Sequence, residues 1–193
     1  MQAQFDVVVL VGSLRKASYT RKLANVLMHM APPSLRCRLV EIGGLPLYNQ
    51  DLDITPPNEW VDFRREVAKA HAVLILTPEY NRSVPGCLKN ALDVGSRPPQ
   101  KNAWNGKPAA IVSVTPGKLG AFGANHAVRQ SLVFLNMPAM QQPEAYISGA
   151  GDLFDETGKL KSDDVKGFLA KFMTAFEQWT TKLVAPAPSS HSG

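Results

Sequence analysis

Apolar runs of strand length alternate with stretches of helical period along this chain. Phe5–Val11 is almost unbroken and β-branched, as a strand buried on both faces should be. Similar runs at Arg36–Ile42, Ala72–Thr77 and Ala109–Thr115 predict three more strands. A fifth is expected near Ala139–Ile147, where Pro138 and Pro143 break the pattern and suit an edge position. Between these runs the 3.6-residue period predicts helices at Thr20–Met30, Glu59–Ala70, Cys87–Gly95 and Gly123–Leu135, and a last one at Asp163–Leu183. In the last, Val165, Phe168, Leu169, Phe172, Met173, Phe176 and Trp179 recur at helical spacing, a stripe that faces a sheet rather than a cofactor. This alternation implies the α/β class, a parallel sheet with helices on both faces. The final APAPSSHSG, residues 185–193, has nothing to bury and is expected to be a disordered tail, leaving residues 1–184 as a single domain.

Composition narrows the picture. A chain of 193 residues, 45% hydrophobic, can build one core that buries about 70% of its unfolded surface. Only Cys37 and Cys87 occur, too far apart for a disulfide framework or a CxxC site, so no metal is expected and the compartment reads as reducing and cytoplasmic. The longest apolar runs, Val7–Val11 and Ala72–Leu76, fall far short of the roughly 18 residues of a membrane span. The opening MQAQFD has neither the basic nor the apolar region of a signal peptide. Twenty-one Lys and Arg against sixteen Asp and Glu give a net charge of +5, but the basic residues are scattered, so no nucleic-acid partner is expected. A mild positive field does suit a small anionic ligand.

In open α/β sheets ligands bind beyond the carboxyl ends of the strands, where the strand order reverses. For an order 2-1-3-4-5 that point lies between strands 1 and 3, which directs attention to the loops Gly12–Thr20 and Pro78–Gly86. The first is neither GxGxxG nor GxxxxGKS, so dinucleotide and triphosphate readings lose support. It gathers hydroxyls and the Arg15 guanidinium at a helix N-terminus, an arrangement that suits a terminal monophosphate. The same residues also fit a plainer reading, in which Ser18 only caps the helix and Arg15 is a solvated charge. In the second loop Pro78 and Pro85 stiffen the backbone, whose polar groups could read the edge of a flat heterocycle; an ordinary turn is the alternative.

GSLRKAS at Gly12–Ser18, PEYNRSVPGCLKNALD at Pro78–Asp93 and GKP at Gly106–Pro108 resemble the NADPH-dependent FMN reductases of flavodoxin-like fold, which include bacterial quinone and chromate reductases. The resemblance runs over about Phe5–Leu183. It implies a three-layer sandwich around a five-stranded parallel sheet of order 2-1-3-4-5. It implies FMN as cofactor, its phosphate held by Ser13, Arg15, Ser18, Tyr19 and Thr20. The ring edge would follow Pro78, Glu79, Tyr80, Asn81 and Arg82, with Thr115 and Gly117 bordering the ring and ribityl chain. NADPH or NADH would be the donor, and quinones, free flavin or chromate the acceptors. A homodimer or homotetramer is implied, with the site near an interface and the helix Cys87–Gly95 as the expected contact. Three positions depart from the common pattern: Thr20 where Asn is frequent, Val94 where Trp often follows the aspartate, and Arg82 at a variable site.

A flavin carries the hydride chemistry itself, so no catalytic side chain is expected. Of the histidines only His126 falls near the fourth-strand loop, and it is expected to be interfacial or solvated rather than a proton relay. The backbone of Glu79 is expected to matter more than its charge. Arg82 could meet the phosphates of incoming NADPH, or be an ordinary loop charge. Two rival classes share this architecture. An electron carrier of flavodoxin type would have no NADPH oxidation, and such carriers are typically acidic. A phosphoryl-receiver domain would need acidic residues after the first strand, where Gly12-Ser13-Leu14-Arg15 stands.

Overall fold

The computed structural model describes residues 4–184, so the tail expected at 185–193 lies outside the described residues. Strands β1 (Phe5–Val11), β2 (Leu35–Leu39), β3 (Ala72–Thr77), β4 (Ala109–Val114) and β5 (Ala145–Ile147) form one parallel sheet in the order 2-1-3-4-5. Helices α1 (Tyr19–His29), α2 (Asn58–Lys69), α3 (Gly86–Gly95), α4 (Phe122–Phe134) and α5 (Asp163–Leu183) cover it on both sides. Successive residues of β1 point to opposite faces. Val7, Val9 and Val11 join Leu23 and Leu27 of α1 and Phe172 and Phe176 of α5. Val8 and Leu10 join Trp60 of α2, Leu88 of α3 and Val128 of α4. Two apolar layers on one sheet are why the central strands read as continuous hydrophobic runs.

β5 takes the edge position expected of it, but the bounds of both edge strands differ from expectation. β2 stops at Leu39, because only β1 pairs with it; Val40 still donates its N–H to the Val9 carbonyl at 3.0 Å before the chain turns away. At the opposite edge the chain pairs with β4 in two places. Ala139 bridges Ala109, and Ala145 faces Val112, so six positions of one strand span three of the other. Between them Pro143 has no N–H to donate, and the intervening residues loop out of the ladder.

This topology sets up the site. β1 and β3 are neighbours, yet the helices that follow them, α1 and α3, lie on opposite faces of the sheet. The two loops therefore part at the carboxyl edge and leave a crevice between them.

Candidate functional site

The first loop is anchored by sheet hydrogen bonding that continues past β1, with the Gly12 N–H donating to the Leu76 carbonyl at 2.8 Å. A Cβ on Gly12 would lie 3.2 Å from Leu88 Cδ2, so glycine lets the loop pass close over α3. Ser13, Ser18 and Thr20 are then all buried, while Arg15 is exposed. Ser18 is the N-cap of α1, its hydroxyl accepting from the Arg21 N–H at 3.2 Å. The amides of Tyr19 and Thr20, ahead of it in the first turn, have no partner inside the helix. Arg21 is held by Glu41 through two bonds of 2.7 Å. Arg15 makes no ion pair among the described residues, which leaves it as the guanidinium available to an anion.

The second loop folds as a two-residue turn. Tyr80 and Ser83 exchange backbone hydrogen bonds of 3.1 and 3.0 Å, and Asn81 and Arg82 between them have φ of 50° and 65°. Both central residues thus lie in the left-handed region that such a turn requires, a conformation Asn tolerates and Arg adopts at a cost. Glu79, just before the turn, directs its carboxylate to another element: Oε2 accepts from the Ala124 N–H of α4 at 3.1 Å, and Oε1 lies 3.5 Å from Arg82 Nη1. The third loop leaves β4 with Thr115, whose hydroxyl accepts from the Gly117 N–H at 3.2 Å.

Together the loops enclose a concavity of about 260 Å³. Ser13, Arg15, Ser18, Tyr19 and Thr20 line one wall, Pro78, Glu79 and Tyr80 another, and Thr115 a third, so nine of the twelve residues singled out from sequence converge there. Asn81, Arg82 and Gly117 do not line it. Val114 and Pro116 do, and sequence reasoning passed over them. Pro116 did leave a signal, since it stands just beyond its strand as Pro78 does. Next to the concavity a shallower depression of about 380 Å³ is bounded by Leu14, Arg15, Tyr80 and Cys87. Burial raises the Cys87 thiol pKa, which keeps it protonated at neutral pH.

A roomier groove, about 750 Å³, lies elsewhere, over the outer face of α1 between exposed Lys22, His29 and Lys159. It contains none of the loop residues, whose hydroxyls and guanidinium stand in the smaller crevice. His126 is outside both; its Nε2 is 3.0 Å from the Tyr146 hydroxyl and its ring packs 4.1 Å from that of Phe122. Among the described residues no group of acidic, His or Cys side chains could hold a metal.

The crevice at the switch point brings hydroxyls, helix-start amides and the Arg15 guanidinium together. Residues 5–152 match the NADPH-dependent FMN reductase family. The chain belongs to that family. A quinone reductase of Pseudomonas putida is 59% identical over 180 residues, covering 93% of this chain and 96% of the relative. The NAD(P)H-dependent FMN reductase of Pseudomonas aeruginosa is 38% identical over 186 residues, covering 95% and 99%. Among solved structures, FerB, a flavoenzyme NAD(P)H:(acceptor) oxidoreductase from Paracoccus denitrificans, superposes with a TM-score of 0.89 at 39% identity, covering 94% of this chain and 100% of that one. With this family membership the rival reading as a phosphoryl receiver falls away.

Proposed function

We propose that the protein is an FMN-containing, NAD(P)H-dependent reductase that passes electrons to quinones, free flavin or similar small acceptors, with chromate a further acceptor to test. The observation that carries the reading is the meeting of the phosphate-type loop and the Pro78–Tyr80 segment in one crevice. The donor set fits a monophosphate. Three buried hydroxyls, two helix-start amides and the Arg15 guanidinium stand together, and the one carboxylate in the crevice, that of Glu79, is engaged by α4. Ser13, Arg15, Ser18, Tyr19 and Thr20 would bind the phosphate, the Pro78–Arg82 backbone would follow the ring edge, and Thr115 and Gly117 would border the ribityl chain. When bound, FMN supplies the hydride acceptance from NAD(P)H and the electron delivery to the acceptor.

The chain's own part is to bind, orient and leave one face open. At about 260 Å³ the crevice is smaller than the ~300–1,000 Å³ of ordinary ligand pockets. The depression beside Tyr80 and Cys87 offers room for a nicotinamide or a quinone over the uncovered ring. Arg82, its side chain 77% exposed, can serve the phosphates of NADPH from the rim.

A second copy would complete that wall in a homodimer or homotetramer. The outward positions of α3 carry the Lys89–Asp93 ion pair, whereas Phe122, Val133 and Phe134 stand exposed on α4, so α4 replaces α3 as the contact we propose. We also take residues 1–184 to act as one domain, and the two free cysteines to suit the reducing cytoplasm. No helix of the described residues is long and apolar enough to cross a membrane.

The test is to release the bound flavin with acid, identify it, and follow NADPH oxidation with and without a quinone. FMN and quinone-dependent turnover are expected. Stoichiometric FAD, or a pure protein that takes up no FMN, would overturn the cofactor assignment; FMN bound without NADPH oxidation would favour the electron carrier.

A further inference from the structure

We infer that Glu79 is a positioning residue, whose carboxylate caps helix α4 from within the flavin loop and so fixes where the Tyr80–Ser83 turn stands against the FMN ring. This rests on the FMN reading above and adds a role for the side chain of a residue whose backbone was expected to matter more than its charge.

Three observations meet at this point. The first is that α4 lacks a cap of its own. Its N-cap residue is Ala121, held in the left-handed region at φ 57° with no side-chain oxygen to offer. The Phe122 and Asn125 amides find backbone carbonyls, of Leu119 and Ala121, each at 3.1 Å. The Ala124 amide instead receives its acceptor from forty-five residues away, Glu79 Oε2. A carboxylate is the favoured partner for the positive end of a helix, and this one is only 13% exposed, so little water competes for it.

The second observation is close backbone approach. A Cβ on Gly123 would come within 2.7 Å of the Arg82 carbonyl oxygen and 2.9 Å of Glu79 Oε2. The turn therefore lies directly on the first turn of α4, at a distance only glycine permits. The third is the turn itself, in which Asn81 and Arg82 both have positive φ. Such a conformation at a residue like Arg persists only where its surroundings over-determine it. Glu79, bonded to α4 on one side and facing Arg82 Nη1 on the other, together with Gly123, is what surrounds it.

The consequence is specific to flavin binding. Glu79 and Tyr80 line the crevice, so any shift of the turn relative to α4 moves the wall that meets the ring. The hydrogen bond to the Ala124 amide is the closer of the two contacts, and the 3.5 Å approach to the exposed Arg82 guanidinium is worth little, so the required feature is an acceptor oxygen at that amide, which glutamine also has.

The experiment compares Glu79→Gln, Glu79→Ala and Gly123→Ala with the unaltered protein. It measures FMN dissociation by fluorescence titration, the visible circular dichroism of bound FMN, and the melting temperature of the FMN-free protein. Glu79→Gln is expected to bind FMN within threefold of the unaltered protein and to keep its dichroism. Glu79→Ala and Gly123→Ala should each weaken FMN at least tenfold and alter the dichroic bands. Alanine is intrinsically better than glycine within a helix, so a loss at Gly123 reports pressure on the turn rather than a weakened α4. If Glu79→Ala fails to fold, Glu79→Gln and Gly123→Ala decide. Unchanged affinity and dichroism in Gly123→Ala or in a folded Glu79→Ala, or a Glu79→Gln loss as large as tenfold, would overturn the inference. Failure of the unaltered protein to bind FMN would instead overturn the functional reading on which it rests.

Discussion

Two arginines flank the phosphate-type loop, and their partners separate their roles. Arg21 is committed to Glu41, whereas Arg15 has no ionic partner among the described residues and lines the crevice. Arg15→Ala should therefore weaken FMN binding by about 1.5–3 kcal/mol, the range for a hydrogen bond to a charged group. Arg15→Lys should restore only part of this, since lysine returns the charge without the planar fork. Titration of both variants with FMN checks the expectation, and unchanged affinity in Arg15→Ala would remove it from the phosphate site. Ser18 joins two roles that the sequence left as alternatives: it caps α1 and it lines the crevice. A hydroxyl has two acceptor lone pairs and a proton to donate, so accepting from the Arg21 amide leaves its proton for a phosphate oxygen.

At the scale of elements, the Arg21–Glu41 pair ties the first turn of α1 to the segment leaving β2. The hydrogen bond from Arg21 lowers the pKa of Glu41 in the folded protein. The pair's contribution is thus fully present above the unfolded pKa of about 4.3 and is lost as pH falls through the lower folded value. Both side chains are partly solvated, so Glu41→Gln should cost less than about 1 kcal/mol at pH 7. Denaturant unfolding at neutral and acid pH should show that difference shrinking towards zero below pH ~4. A difference that stays constant across this range would mean the ion pair is not its source. Three elements were legible end to end: β1, β3 and α5 occupy the residues their periodicity predicted. The two strands are buried along almost all of their length, and α5 keeps one apolar stripe against the sheet while its other face is exposed. β5 stands at the edge as expected, but the bounds of β2 and β5 differ, since an edge strand ends where its single neighbour stops pairing, which is a property of two segments rather than one.

For the whole molecule, the notable surface is α4. Phe134 is 82% exposed beside an equally exposed Val133, and Phe122 stands out near the other end of the same helix. Apolar side chains grouped on one helix mark an interaction face, and covering it with a second copy would place another subunit next to the Glu79–Arg82 turn. Light scattering at micromolar concentration should show a dimer or tetramer, and Phe134→Glu should shift it towards monomer by burying an unpaired charge at the contact. A fully active monomer would refute the assembly.

While the strand order was implied by the family resemblance, the sequence by itself determined the α/β class and the loops that form the crevice. Those follow from local facts: hydrophobic period, β-branched runs, a hydroxyl-rich helix start and a proline-stiffened turn. Only the tertiary structure decided which arginine is free, that Asn81, Arg82 and Gly117 stand outside the crevice while Val114 and Pro116 enter it, and that Glu79 serves a helix forty-five residues on. The physical reason is that each depends on a competition for a partner across the fold. Glu41 lies beside Arg21 and no carboxylate of the described residues pairs with Arg15, and α4 borrows the Glu79 carboxylate because Ala121 has no side-chain oxygen to give.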